Sequence, residues 1–310
     1  MKKDKTALVT GGAGFIGSEL VNQLLEKQYD VIVYDNFSFG KHKNLPQNSS
    51  LTVVEGDLRN AAKLKSTFVQ HKPTFVFHMA ALHFIPYCIA NPQETIQVNV
   101  EGTLNVLEAC KPIEVKSLVY ASTAAVYPVS ETPHHENDDT GPIEIYGATK
   151  LFGETLISLF HQETNVKCAI ARLFNGFGRR ETNPHVIPDI LKQLHSGDDI
   201  HLGNVDPKRD FINTIDISRA LISMAESDNF KYNTFNVGTG EQTSVRDIVR
   251  VIATILNRPL KIVTEESRKR KVERINLVPS ILKIKEVINW EPKISLEEGF
   301  RDMLKYEGYI

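Results

Sequence analysis

The sequence predicts an α/β protein: a doubly wound parallel sheet through its first half, followed by a smaller mixed C-terminal lobe. Three observations carry that expectation. Short apolar runs at 6–9, 30–34, 51–54, 74–77, 117–120 and 168–171 alternate with amphipathic stretches, as buried parallel strands joined by crossover helices do. A glycine-rich turn, Thr10-Gly11-Gly12-Ala13-Gly14-Phe15-Ile16-Gly17, separates the first run from the first amphipathic stretch. Polar residues collect where the runs end, and open parallel sheets bind ligands at those ends.

The first run, the turn and the amphipathic stretch from Phe15 to Leu25 make a strand, a turn and a helix in order. Gly12, Gly14 and Gly17 read as G-x-G-x-x-G, and Gly11, Gly14 and Gly17 equally as G-x-x-G-x-x-G. Glycine is needed because the chain turns tightly, the backbone must touch a pyrophosphate, and the helix must pack closely on its strand. The phosphates would meet the helix N-terminus at Phe15 and Ile16, whose N–H groups and dipole favour anions. An ordinary glycine-rich turn is the alternative, and the flanking elements favour a Rossmann-type reading. The second run ends in Asp35, 18 residues past Gly17, about where such a fold places the carboxylate that holds the adenosine ribose. A 2′-phosphate would be repelled there, so the expected cofactor is NAD rather than NADP; a strand-end cap is the alternative for Asp35.

Asp57 follows the third run, His78-Met79-Ala80-Ala81 the fourth, Ser122-Thr123 the fifth and Phe174-Asn175 the sixth. Helical patterns lie near 60–70, 92–110 and 147–163. The last begins on Tyr146-Gly-Ala-Thr-Lys150. Residues four apart share a helix face, so a hydroxyl and an ammonium can converge on one small volume. Alone, the pair could be a surface contact; beside a dinucleotide cradle it implies hydride transfer with proton transfer. Beyond Asn175, prolines at 184, 188, 207, 259, 279 and 292 and shorter apolar runs mark a change of character. The expected division is 1–175 for the cofactor domain and 176–310 for the substrate lobe, with a segment near 211–238 as a candidate to pack back on the first. The cleft between them is the default ligand site.

With 310 residues, 41% hydrophobic and 24% charged, the chain can bury a sizeable core. A net charge of −2 offers no basic surplus for nucleic acid. No apolar stretch approaches the ~20 residues of a membrane span. Met1-Lys2-Lys3-Asp4-Lys5 leads into the first strand without a signal-peptide apolar region, so the cytoplasm is expected. Cys88, Cys110 and Cys168 lack metal-ligand spacing, so buried reduced thiols and no metal centre are expected.

The ordered motifs resemble the extended short-chain dehydrogenase/reductases that act on nucleotide-activated sugars. Besides the glycine turn and Tyr146 to Lys150, the match runs through Asp35-Asn36-Phe37-Ser38 with Gly40, Gly56-Asp57-Leu58 and His78-Met79-Ala80-Ala81. It continues through Asn99-Val100-Glu101-Gly102-Thr103, Ser122-Thr123, Arg172-Leu173-Phe174-Asn175 and Arg209-Asp210-Phe211, then Asn289-Trp290-Glu291-Pro292 with Ser295-Leu296-Glu297-Glu298-Gly299. The resemblance implies that Tyr146 is the acid/base on a sugar hydroxyl. Lys150 would favour its phenolate and hold the nicotinamide ribose, and Thr123 would hydrogen-bond the same sugar oxygen, with Ser122 as an adjacent candidate. A strand-end turn is the alternative for both Ser122 and Thr123. It places Asn36, Ala80 and Ala81 against the cofactor, Asp57 and Leu58 against the adenine, and Asn99 on the cofactor side of the catalytic centre, with a helix cap as the alternative for Asn99. Asn175, Arg209 and Arg270 would hold the substrate diphosphate; Arg209 could instead pair with Asp210. His83 and His185 stand alone in the sequence and read as structural.

Members of this family that dehydrate the sugar resemble the chain up to Thr123 and then carry Asp-Glu, where this chain has Ala124 and Ala125. Without a carboxyl there, proton removal at C5 and donation to the leaving C6 hydroxyl lack their usual agents. The resemblance therefore implies an NAD-dependent 4-epimerase of a nucleotide-diphosphate sugar, of the UDP-galactose 4-epimerase type, passing through a 4-keto sugar that turns its other face to the returning hydride. A dehydratase, reductase or decarboxylase of the same family is the alternative. Two departures bear on the sugar: Ala81-Leu82-His83-Phe84-Ile85-Pro86-Tyr87 replaces the family's usual approach to it, and Tyr127-Pro128 stands where Tyr-Gly is usual. A homodimer through the helices near 92–110 and 147–163 is expected.

Overall fold

The apolar runs become strands of one sheet, and all but the edge strand at Leu51–Glu55 send alternate side chains to two covered faces. In the computed structural model, residues 5–181, 185–268 and 276–310 are described. The first part comprises β1 (Thr6–Thr10), α1 (Phe15–Glu26), β2 (Asp30–Asp35), β3 (Leu51–Glu55), α2 (Ala61–His71), β4 (Phe75–His78), α3 (Ile85–Ala90), α4 (Pro92–Ile96), α5 (Gly102–Cys110), β5 (Ser117–Thr123), α6 (Ile145–Thr164) and β6 (Lys167–Leu173). The chain continues through β7 (Asn175–Phe177), α7 (Val186–Leu194), β8 (Asp199–Leu202), β9 (Lys208–Arg209), β10 (Phe211–Asn213), α8 (Thr214–Glu226) and β11 (Tyr232–Val237). It ends with β12 (Thr243–Ser244), α9 (Val245–Leu256), β13 (Lys261–Thr264), β14 (Asn276–Leu277), α10 (Leu282–Ile288) and α11 (Leu296–Tyr306).

Seven strands form a sheet in the order β11-β6-β5-β4-β1-β2-β3, and every pairing is parallel. The order reverses between β1 and β4, which creates the crevice where doubly wound sheets bind ligands. Val9, Val33 and Phe77 pack on one face with Leu20, Leu221 and Phe235. Leu8, Ile32 and Val76, each one residue earlier, pack on the other with Phe68, Leu107 and Ile157, the period of two that a strand imposes. The segment from α8 to β11 returns to this sheet: Leu221 joins the core beneath α1 and β11 pairs with β6. A separate core of Phe177, Ile190, Ile200, Ile252 and Phe300 holds α7, β8, α9 and α11 together. The motif at Ser295 is a capping box at the start of α11, with Glu298 as its reciprocal partner.

The structure departs from the sequence expectation in places. β3 is an edge strand with Thr52, Val53 and Glu55 exposed, so it is not covered on both faces. Ser122 and Thr123 are the last residues of β5 rather than a loop after it, and His78 is the last residue of β4. The helical pattern near 92–110 is α4 and α5 joined by a π-helical turn at Gln97–Glu101. Among the described residues, no helix is long and apolar enough to cross a membrane.

Candidate active site

The crevice at the reversal point opens into a cavity of about 1430 Å³ that reaches from the glycine turn to Arg209. A single drug-sized ligand fills about 300–1,000 Å³, so there is room for a dinucleotide and a second nucleotide together.

At one end lies the turn between β1 and α1. Gly11 has φ +69°, and a Cβ on it would stand 2.8 Å from the Ala80 backbone nitrogen. A Cβ on Gly17 would overlap the Gly11 carbonyl oxygen and stand 2.9 Å from its carbon. The first turn of α1 has no side-chain cap at Gly14, and Gly14, Phe15, Ile16 and Gly17 line the cavity wall there. That is an anion site by construction. Asp35 lines the same wall; its carboxylate accepts from the backbone N–H of Ala13 at 2.9 Å and of Phe37 at 2.8 Å. Burial pushes the Asp35 carboxyl up from its ordinary value, while those two backbone donors pull it down.

Asn36, Asp57, Leu58, Ala80 and Ala81 also line the cavity. Asp57 is committed: Arg59 binds it twice, at 2.8 and 2.7 Å, and the Asn36 amide donates to it at 3.0 Å. The Arg59 guanidinium holds its carboxyl well below the usual range. These residues, with the glycine turn and the Asp35 carboxylate, fit a dinucleotide: bare backbone donors for its phosphates and an acid for a ribose.

Asn99 is neither a helix cap nor a cavity residue. It is buried in the π-helical turn, where its carboxamide accepts from Leu82 N at 2.8 Å and donates to Leu82 O at 2.9 Å and Thr149 Oγ1 at 3.1 Å. It holds the wall segment after Ala81 against α6. His78 ties the same wall to β1. The Thr103 hydroxyl donates to Asn99 O at 2.6 Å, so its oxygen accepts from His78 Nε2 at 2.9 Å, and His78 Nδ1 accepts from Thr10 at 2.8 Å. Burial, with the Lys150 charge nearby, pushes His78 down to about 3, so this imidazole is neutral.

Tyr146 and Lys150 lie one turn apart on α6 and both line the cavity. Glu144 caps the helix, accepting from Tyr146 N at 2.8 Å and Gly147 N at 2.9 Å. Burial pushes the Tyr146 phenol well up; a hydrogen bond with Thr123 pulls it down, and the Glu144 charge raises it again. Thr123 also accepts from Ala125 N at 3.1 Å. The strand-end turn is therefore real, and the same hydroxyl still serves Tyr146. Ser122 is different: its hydroxyl donates to Glu154 Oε1 at 2.5 Å, inside a buried cluster in which Arg172 binds Glu154 at 3.0 and 2.7 Å. Ser122 lines the cavity as well, but its hydroxyl proton is committed to that cluster.

Burial pushes Lys150 down to about 7 from an ordinary 10.5, with Glu154 opposing. A lysine whose folded value is depressed costs stability in full below pH ~7, and the cost fades as pH rises toward its unfolded value. Lys150→Met should therefore raise the melting temperature of the cofactor-free protein more at pH 6 than at pH 9. Thermal melts at both pH values check this, and a lower melting temperature at pH 6 would contradict it.

Toward the other end, Asn175 and Arg209 line the cavity. Asn175 donates to Asp210 O at 3.0 Å. Asp210 does not pair with Arg209. It is fully buried and accepts from Thr239 N at 2.8 Å, Thr239 Oγ1 at 2.7 Å and Gly240 N at 2.7 Å. Arg270 lies outside the described residues.

Sequence reading missed several cavity residues. His83 and His185 are not isolated: their rings stand 6.0 Å apart on the cavity wall, and Glu181 approaches His185 Nδ1 at 3.4 Å. Glu144 and Glu181 also line the cavity. For the histidines the only signal was His83's place two residues past Ala81, in the loop after β4. Ala124 and Ala125 line the wall next to Thr123 and bring no carboxyl to it. Among the described residues no cluster of three or more His, Cys, Asp or Glu could hold a metal, and Cys88, Cys110 and Cys168 are free and buried.

A protein-family model described as GDP-mannose 4,6 dehydratase matches residues 8–303. The UDP-glucose 4-epimerase of Corynebacterium glutamicum is 31% identical over 303 residues, covering 92% of this chain and 90% of the relative. Among solved structures, the UDP-glucose 4-epimerase of Thermotoga maritima with UDP-glucose superimposes with a TM-score of 0.89 at 31% identity, covering 97% of this chain and 98% of that one. The UDP-glucose 4-epimerase of Thermus thermophilus in complex with NAD gives a TM-score of 0.88 at 29% identity, covering 98% of this chain and all of that one, 100%.

Proposed function

We propose, from the premise that this chain belongs to the NAD-dependent epimerase/dehydratase family of nucleotide-sugar enzymes, that it is a 4-epimerase of a nucleotide-diphosphate sugar, of the UDP-hexose type. Its cofactor is NAD. The observation that carries the reaction type is the wall at Ala124 and Ala125 beside a complete Thr123, Tyr146 and Lys150 set. Carboxylates do line the cavity, among them Glu144, which caps α6 through both oxygens, and Glu181, which approaches His185 Nδ1 at 3.4 Å. None stands at 124 or 125, beside Thr123, to serve the C5 proton transfer a dehydration needs.

When bound, NAD supplies hydride acceptance and return at C4. The chain's own residues do the rest. Tyr146 removes the 4-hydroxyl proton and gives it back, Thr123 orients that hydroxyl, and the Lys150 charge favours the ionised phenol. Asn175, Arg209 and Arg270 hold the diphosphate while the sugar turns, so orientation carries much of the catalysis. On the cofactor side we assign Gly11, Gly14, Phe15, Ile16, Gly17, Asp35, Asn36, Asp57, Leu58, Ala80 and Ala81, with Asn99 acting through Leu82. In this reading 1–175 is the cofactor domain and 176–310 the substrate lobe, with α8 and β11 lent back to the first. Incubating the protein with UDP-, dTDP-, CDP- and GDP-sugars and following the H4 and anomeric proton signals tests the assignment: one nucleotide sugar should convert to its C4 epimer, and no conversion across the panel would defeat it.

Asp35 supports NAD over NADP. Asp35→Ala should narrow the gap in affinity between the two, because it removes ribose hydrogen bonds and phosphate repulsion together. Equal affinities in the unaltered protein, read by calorimetry, would defeat this part. We also propose a homodimer, supported by half-exposed Ile96, Leu104, Phe152 and Leu159 on the neighbouring helices α4, α5 and α6, apolar side chains that a partner helix face would cover. Sedimentation at micromolar concentration should give twice the chain mass, and the chain mass alone would refute it. Cytoplasmic residence fits the three free buried thiols.

A further inference from the structure

Tyr120 stands in the middle of β5, fully buried, and its surroundings are not those of an ordinary core ring. The Lys150 ammonium lies 4.1 Å from its ring centroid, and its hydroxyl donates to the Lys150 carbonyl oxygen at 3.4 Å. α6 makes room for it at one place. Residue 153 is glycine, and a Cβ there would overlap the Tyr120 Oη and stand 2.6 Å from Cζ. His78 packs on the same ring at 5.5 Å between centroids. Glu154, the acid one turn beyond Lys150, is bound by Arg172 and Ser122.

We propose that Tyr120 is a positioning residue for the reaction: its ring face carries the buried Lys150 ammonium and fixes that charge at the floor of the cavity beside Tyr146. The inference rests on the proposed epimerase reading for its place in catalysis, but not for its geometry. An ammonium removed from water loses its hydration, and the negative face of an aromatic ring is a neutral group that can partly replace it. A carboxylate in that place would hold the proton too tightly to respond to the cofactor and sugar above. Among the described residues the other titratable groups around Lys150 are Glu154 and Tyr146 on α6, His78 on β4 and His83 in the loop after β4, and burial keeps Tyr146 protonated. His78 is neutral through the working range, and burial lowers His83 as well. Burial already brings Lys150 down to about 7, so weakening the ring face should bring it lower still.

The test replaces Tyr120 with phenylalanine and then with mono-, tri- and pentafluorinated phenylalanines, which keep the ring's shape while draining its negative face. Two readouts are taken: the Lys150 13Cε titration in the cofactor-free protein, assigned by its loss in Lys150→Met, and the alkaline limb of kcat/KM with the nucleotide sugar. Tyr120→Phe should leave both close to the unaltered protein. Fluorination should move both toward acid stepwise, by about one pH unit at the end of the series. Tyr120→Leu, which removes the ring, should move them in the same direction; if it does not fold, the fluorinated series still decides. A Lys150 titration that stays flat across the series would overturn the proposal. Absence of epimerase turnover in the unaltered protein would instead overturn the functional reading, and the titration would still judge this one.

Discussion

Replacing Tyr146 with phenylalanine is expected to leave folding and NAD binding intact and to lower kcat by about 10²–10⁴-fold, the range for removing a positioned proton-transfer group. The substitution deletes one oxygen from a ring that is already packed on α6, and among the described residues Thr123 is the hydrogen-bond partner of that hydroxyl. The loss should therefore fall on the chemical step. Burial holds the phenol high and the hydrogen bond with Thr123 pulls it down, and Phe offers no group that could take over its proton. Rapid-mixing assays on the variant, with dinucleotide binding measured beside them, check this; turnover within a few-fold of the unaltered enzyme would remove Tyr146 from its role.

The second large effect concerns stability. Glu154 and Arg172 form a buried ion pair at 2.7 Å, both less than a tenth exposed. Arg172 also donates to Tyr127 Oη at 2.9 Å and to Glu136 O at 3.1 Å, joining β5, α6 and β6 beneath the catalytic pair. Removing one partner of such a pair leaves a buried charge uncompensated and typically costs about 3–5 kcal/mol. Against a total of roughly 5–15 kcal/mol for a folded chain that is a large share. Glu154→Ala should therefore lower the urea midpoint strongly. Glu154→Leu with Arg172→Met should recover most of the loss, because the desolvation of both charges is then no longer required. A single-variant loss below about 1 kcal/mol would show that Arg172's other two acceptors already satisfy it.

The fold was largely legible because the core strands are short apolar runs, several of them ended by a glycine or an acid, as at Gly11, Asp35 and Gly238. The glycine turn, Asp35 and Thr123 sit at strand ends, and all of them line the cavity; Asn99, expected beside them, does not. What could not be read depends on partners far away in the chain. Ser122 looked like a substrate ligand because Glu154, which takes its hydroxyl, lies 32 residues on. The π-helical turn around Asn99 follows from its double contact with Leu82, which no local periodicity encodes. His83 and His185 meet only because the loop after β4 and the start of α7 face one another across the cavity. Asp210 follows Arg209 directly, yet it sits between β9 and β10 and its carboxylate turns to the Thr239 loop.

This site is expected to invert C4 and return its own hydride without touching the rest of the sugar. Running the reaction on the authentic nucleotide sugar in heavy water, and measuring product mass and deuterium position, tests this most directly. The product should be a C4 epimer of unchanged mass with no stable deuterium on carbon. Deuterium fixed at C5, or loss of water or carbon dioxide, would contradict it and show that some group other than the alanines at 124 and 125 performs elimination or decarboxylation in this cavity.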